Sequence, residues 1–181
     1  MNEGFLPDEN DVSVRQELTS FAIINTNTRS LFPKIESMID CMSETDARIA
    51  VITETWLRDG ERLDQDAEDL SAGAGLGMLA RNRSTPAANG VTYGGVAVFW
   101  QEAHCGLKET KISNPDNFEI LACAGNLKGH KRKMCVLACY LPPNYTRARA
   151  DKALDTITDA VVDLKRRFTD PYLVVTGDFN Q

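Results

Sequence analysis

Short apolar runs separated by polar punctuation set the rhythm of this chain from residue 20 onward. The run SFAIINT (20–26) carries Phe21 and two isoleucines. It is long enough for a buried strand and too short for a helix. In the following NTRSLFPKIESMIDCMSETD, Leu31, Ile35, Ile39 and Met42 fall on one face at helical spacing. Ser30 can cap this helix, and Pro33 lies early, where a missing N–H costs little. ARIAVIT (47–53) is the next strand. Strand, helix and strand within about thirty residues predict a βαβ unit.

The middle has a different texture. GLGMLARNR (75–83), YGGVAVFWQ (93–101), CGLKETKI (105–112), FEILACAGNL (118–127) and MCVLACYL (134–141) follow one another closely. The turn-rich STPAANG, NPDN and KGHKRK lie among them. This pattern predicts an antiparallel meander. A helix is expected over 146–168, with Ala153, Ile157, Ala160, Val161 and Leu164 as its apolar stripe and Arg147, Lys152, Asp159 and Arg166 on its wet side. YLVVTG is the last strand. SAGAGLG (71–77) is expected as a flexible loop and lacks the GxGxxG order of a dinucleotide site. Residues 1–18 are polar and aperiodic, an expected loose tail before a single domain over 19–181. Helix-flanked strands around hairpins suggest an α/β fold of packed sheets with helices outside.

Composition narrows the picture. With 43% hydrophobic and 25% charged residues, the chain is globular in character. A net charge of −6 argues against affinity from a broad basic face on nucleic acid, but not against local contact with phosphate at a carboxylate-held metal. The five cysteines show no CxxC spacing, so no zinc site or disulfide framework is readable. Cys123, Cys135 and Cys139 sit in apolar runs and are expected as buried thiols. MNEGFLPDENDV has no apolar signal region, and no stretch is long enough to span a membrane, so an intracellular chain without membrane association is expected. No obligate protein partner is readable.

Three strands run directly into polar residues: INTNTRSL, ITETWL and TGDFNQ. They supply Asn27, Glu54, Asp178 and Asn180, and a fourth strand ends on Tyr140 in CYLPPN. If these ends converge, the donors are carboxylate, amide and phenol, with no thiolate. That set suits a hard cation such as Mg²⁺.

INTNTRSL, VITETWL, YGGVAVFW, CYLPPN and VVTGDFN, in this order, resemble the endonuclease/exonuclease/phosphatase superfamily. TETWL and YLPPN are most similar to the apurinic-endonuclease-like domain of non-LTR retrotransposons, where it accompanies a reverse transcriptase. The resemblance implies a four-layer α/β/β/α sandwich (DNase I-like) and a Mg²⁺- or Mn²⁺-dependent endonuclease acting on DNA. It assigns Glu54 and Asn27 to the metal, Asp178 to orienting or deprotonating the attacking water, and Asn180 to fixing Asp178 and the phosphate. Tyr140 lies beside the scissile phosphate in this scheme, and Asn144 and Arg29 go to substrate binding. Arg29 stands where repair members carry an acid, and an extra proline shifts Asn144 by one place. The family's later Ser-Asp-His motif is not found: His104 and His130 both precede Asp178 and neither follows Ser-Asp. The expectation is therefore a second half that is incomplete and an activity that is impaired.

Each assignment has a plainer rival. Glu54 could be a solvated acid, Asp178 with Asn180 an Asx-turn, Tyr140 a half-buried aromatic and Asn27 a helix cap. The turn run His130-Lys131-Arg132-Lys133 could meet phosphates, though a charged hairpin turn is ordinarily solvated. Trp56 and Trp100 read as packing residues. Two other functions remain open: a phosphatase on lipid or inositol phosphates, and a non-catalytic remnant or interaction fragment.

Overall fold

The run Ala47–Thr53 is buried along its whole length, and the architecture is built on both of its faces. The computed structural model describes residues 22–57, 62–82 and 93–180. The expected tail lies outside them. In chain order the elements are β1 (Ala22–Asn27), a 3-10 turn (Phe32–Lys34), α1 (Ile35–Glu44), β2 (Ala47–Thr53), α2 (Arg62–Gly73), β3 (Leu76–Arg81), β4 (Val96–Gln101), β5 (Cys105–Glu109), β6 (Glu119–Leu127), β7 (Lys133–Tyr140), α3 (Arg147–Arg167) and β8 (Tyr172–Asp178).

Two four-stranded sheets result, ordered β1-β2-β4-β3 and β5-β6-β7-β8. Strand periodicity explains how they stack. Along β2, Ile49 and Val51 point between the sheets, where they meet Val98, Leu121, Cys123, Val136 and Ala138. Ala50 and Ile52 point the other way, onto Leu31, Ile35, Met38 and Met42 of the α1 segment and Ala67 of α2. On the far side of the second sheet, Ile120, Leu137 and Cys139 pack on Ala153, Ile157 and Ala160 of α3. The order is helix, sheet, sheet, helix, as expected. Each fully buried large side chain, such as Phe99 or Ile52, contributes about 1.5–3 kcal/mol.

The βαβ unit is present: β1 pairs with β2 in parallel. A second one closes the chain, because β7 pairs in parallel with β8 across α3. Thr146 caps α3, its side chain accepting from the Arg149 amide.

Three expectations need correction. The meander is split between sheets: β3 and β4 pair in one, β5, β6 and β7 in the other. The region around 71–77 is not wholly a loop, since Ser71 to Gly73 end α2, a helix whose thin apolar stripe gives little periodicity. Ser30 does not cap α1. The chain enters through the 3-10 turn, with Pro33 in its first turn and no side-chain cap on α1.

Candidate functional site

Because β1 and β2 are parallel, and β7 and β8 are parallel, all four end at the same rim of the sandwich. Asn27 is the last residue of β1, Glu54 follows β2, and Tyr140 and Asp178 end β7 and β8. Register aligns them: Asn27 stands opposite Thr53, and Tyr140 opposite Asp178.

The side chains join across the two sheets. The Asn27 amide nitrogen donates to Glu54 Oε1 at 2.9 Å and to Asp178 Oδ2 at 2.9 Å. The Tyr140 hydroxyl donates to Glu54 Oε1 at 3.2 Å. The Asn180 backbone amide donates to Asp178 Oδ1 at 3.2 Å, which is the Asx-turn considered above. The turn and the cluster coexist, since they use different carboxylate oxygens. A further tie that the sequence did not signal runs from the Asn25 side chain to the Gly177 carbonyl at 3.0 Å.

The backbone is shaped to serve this arrangement. Arg29, Ser30, Glu54, Trp56 and Asn180 all have positive φ. For residues with a Cβ this conformation costs free energy, and such residues cluster at functional sites. Interlocking bonds hold them: Ser30 N–H to the Glu54 carbonyl at 2.8 Å, Leu31 N–H to that of Thr55 at 2.9 Å, and Trp56 N–H to that of Gly94 at 2.9 Å. The Thr28 hydroxyl also reaches the Thr53 and Glu54 carbonyls, at 3.4 and 3.3 Å. Gly177 lets β8 approach β7 closely, because a Cβ there would fall on the Cys139 carbonyl. Glu119 is a supporting residue that sequence reasoning missed. Its buried carboxylate accepts from the Gly95 amide, beside the Gly94 carbonyl that accepts from Trp56 N–H.

The remaining candidates lie further out. Arg29 is exposed; its backbone amide donates to Asn27 Oδ1 at 3.2 Å. That bond turns the Asn27 oxygen away from the carboxylates and its nitrogen towards them. Asn144 and Asn180 are exposed. Among the described residues, the side chains of Arg29, Asn144 and Asn180 make no hydrogen bond to the cluster. Trp100 is core, while Trp56 meets Tyr93 edge-on at 5.0 Å. The basic turn 130–133 is at the opposite pole. It leads into β7, whose first residue is Lys133, while Tyr140 ends that eight-residue strand, roughly 25 Å away. Arg132 there is engaged with Asp170 at 2.9 Å and stacks over Tyr172.

Among the described residues no group of three or more His, Cys, Asp or Glu side chains could hold a metal. The local donors are the two carboxylates, with amide and phenol beside them. Mg²⁺ fits such a set, since it commonly takes one or two carboxylates and keeps water or phosphate oxygen elsewhere. Burial pushes the Cys139 thiol, next to Tyr140, up to about 12.

The Endonuclease/Exonuclease/phosphatase family matches residues 17–181. No curated protein matches the sequence. Among solved structures, the 3′ phosphatase NExo from Neisseria, bound to a product DNA hairpin, is similar with a TM-score of 0.64 and 18% identity, covering 89% of this chain and 58% of its own. An AP endonuclease from Archaeoglobus fulgidus gives 0.59 and 17%, covering 89% and 58%. The human nocturnin catalytic domain with bound sulfate gives 0.62 and 12%, covering 88% and 63%. At these identities the likeness is one of fold, and the chain spans less than two-thirds of each of these structures.

Proposed function

The chain belongs to the Endonuclease/Exonuclease/phosphatase family, and from that premise we propose that it is a Mg²⁺-dependent phosphodiesterase domain of retrotransposon type that nicks DNA. One observation carries the reading: Asn27, Glu54, Tyr140 and Asp178, spread over the length of the chain, form a single hydrogen-bonded cluster. The TETWL and YLPPN segments support the retrotransposon branch. Family members are generally dependent on divalent metal.

Phosphodiester hydrolysis needs a water held in line with the leaving oxygen and a group to take its proton. Asp178 is assigned that proton. Its Oδ1 is fixed by the Asn180 amide and its Oδ2 by Asn27, so the carboxylate cannot rotate freely. Glu54 would hold the metal, and Tyr140 with Asn27 sets its orientation through Oε1. A bound Mg²⁺ or Mn²⁺ would supply neutralisation of phosphate charge. Asn27 donates to both carboxylates, beside the metal that Glu54 would hold. Arg29 and Asn144, exposed on the loops beside the cluster, are assigned to the DNA backbone.

The fold is shared by a 3′ phosphatase, so a terminal phosphomonoester is the second substrate to examine. Conversion of supercoiled plasmid to nicked circles, and phosphate release from a 3′-phosphorylated oligonucleotide, should be measured side by side with Mg²⁺ and with EDTA. Nicking is expected only with Mg²⁺. It should fall about a hundred- to a thousandfold, in practice to background, in Asp178→Asn. Nicking retained in Asp178→Asn, or phosphate release without nicking, would overturn the endonuclease reading.

A further inference from the structure

A second concavity opens beside the cluster, between the turn after β7, the first turns of α3 and the residues following β8. Its volume is about 540 Å³, within the range of small-ligand pockets. Leu141, Pro142, Tyr145, Leu154 and Phe179 make its apolar wall. Arg147, Asp151 and Asn180 add polar groups. We infer that this pocket takes an unstacked nucleobase of the strand whose phosphate meets Asp178. The inference rests on the phosphodiesterase reading and adds a base subsite to it.

Continuity comes first. Leu141 directly follows Tyr140, its amide bonds the Asp178 carbonyl at 2.9 Å, and the Asn180 amide bonds the Asp178 carboxylate. A phosphodiester at Asp178 therefore presents its neighbouring nucleoside to this opening. The wall is also preorganised. Tyr145 and Phe179 are half-buried and packed on the core beneath α3. Tyr145 is braced by Phe118 at 6.0 Å and by the Arg149 guanidinium 4.8 Å over its ring. Rigid aromatic faces stack bases with little ordering cost, and every base has a π-face to offer. Leu154, 37% exposed on α3, is an apolar side chain that a base would cover.

Chemistry discriminates between this pocket and another concavity among the described residues. The concavity of about 680 Å³ beside α2 is lined by Asp66 and Asp69 together with Phe32 and Leu70. Its acids repel a phosphate-bearing ligand, and it shares no residue with the cluster. The pocket at α3 has Arg147 for an adjacent phosphate, and Asp151 with Asn180 for the polar edge of a base. Stacking also meets a need of this chain. A net charge of −6 argues against strong long-range attraction of nucleic acid, so base contact would add affinity that net charge does not.

The test is an NMR titration of the 181-residue chain in Mg²⁺ with thymidine 3′- and 5′-monophosphates and with base-free 2-deoxyribose 5-phosphate. The nucleotides should move the backbone signals of Tyr145, Ala150, Leu154 and Phe179, while the sugar phosphate should move only signals near Glu54 and Asp178. Tyr145→Ala should weaken nucleotide binding about tenfold and leave the sugar phosphate unaffected. Leu154→Trp, which fills the pocket from an exposed helix position, should do the same, and wild-type spectral dispersion in both variants shows that the fold is kept. Shifts at the pocket signals without any near Glu54 and Asp178 would support the base pocket and count against the phosphodiesterase reading. Identical shift patterns for nucleotide and sugar phosphate, silent pocket signals, or unchanged nucleotide affinity in both variants would overturn the base pocket.

Discussion

Replacing Asn27 by alanine removes a donor shared by Glu54 and Asp178. Both carboxylate oxygens sit 2.9 Å from the same nitrogen, so they lie no more than twice that distance apart. Two charges at about 5 Å repel by roughly 1 kcal/mol at the dielectric of water and roughly 3 kcal/mol at an effective value of 20. The cluster is half-exposed, which places the cost towards the lower end, about 1–2 kcal/mol, or roughly 2–8 °C in Tm for a chain of this size. The loss should be specific to metal-free conditions. A divalent cation between the carboxylates replaces the missing donor, so Mg²⁺ should restore more stability to Asn27→Ala than it adds to the wild type. Asn27→Asp, with a third carboxylate, should lose most in EDTA and gain most from Mg²⁺. Urea unfolding of the three proteins with EDTA and with a Mg²⁺ series measures each difference. Equal stability of wild type and Asn27→Ala in EDTA, with parallel responses to Mg²⁺, would show that the two carboxylates do not feel each other and that the cluster is not a cation site.

Two further outcomes follow from buried groups away from the site. Arg48 is only 7% exposed and its Nε has no partner, so its charge is held at a cost; Arg48→Met should stabilise the fold by about 1 kcal/mol or more in urea unfolding, and a less stable variant would contradict this. Burial raises the thiols of Cys105 to about 11 and of Cys123 and Cys139 to about 12. Above about pH 9 the unfolded chain releases thiol protons that the folded chain keeps, so this contribution is complete below pH 9 and is lost as pH rises through 11–12. Cys123→Val should flatten the alkaline fall in urea midpoint, and at pH 8 iodoacetamide should label exposed Cys41 well before the buried thiols.

What the sequence made legible was whatever local pattern specifies. ARIAVIT has the bounds expected of β2, and the α3 stripe at Ala153, Ile157, Ala160 and Leu164 is buried. Polar residues at strand ends identified the cluster, because an amide or acid just past a buried run has few packing reasons to be there. What escaped depended on long-range geometry. The short link from Gln101 to Cys105 has the length of a hairpin turn, yet it carries the chain from one sheet to the other. α2 was missed because RLDQDAEDLSAG has few apolar residues, and its Leu70 is exposed. The positive φ at Glu54 and Trp56 goes with bonds from Ser30 N–H to the Glu54 carbonyl and from Trp56 N–H to the Gly94 carbonyl, which no local propensity encodes. Glu119 reads as an ordinary strand residue until its carboxylate is seen under Gly95.

The parallel pairing of β1 with β2 and of β7 with β8 also divides labour between the two poles of the sandwich. Among the described residues, complete connections at the pole of the cluster run through 28–31, 110–118 and 141–146, whereas those at the opposite pole run through 45–46, 74–75, 102–104, 128–132 and 168–171. Among these, the longer connections lie where ligands would arrive. Variation in the long connections can retune recognition without disturbing the stack of layers. The tight turns of the far pole offer places for a tag, a fluorophore or a tether that would hold the molecule with its working face outward.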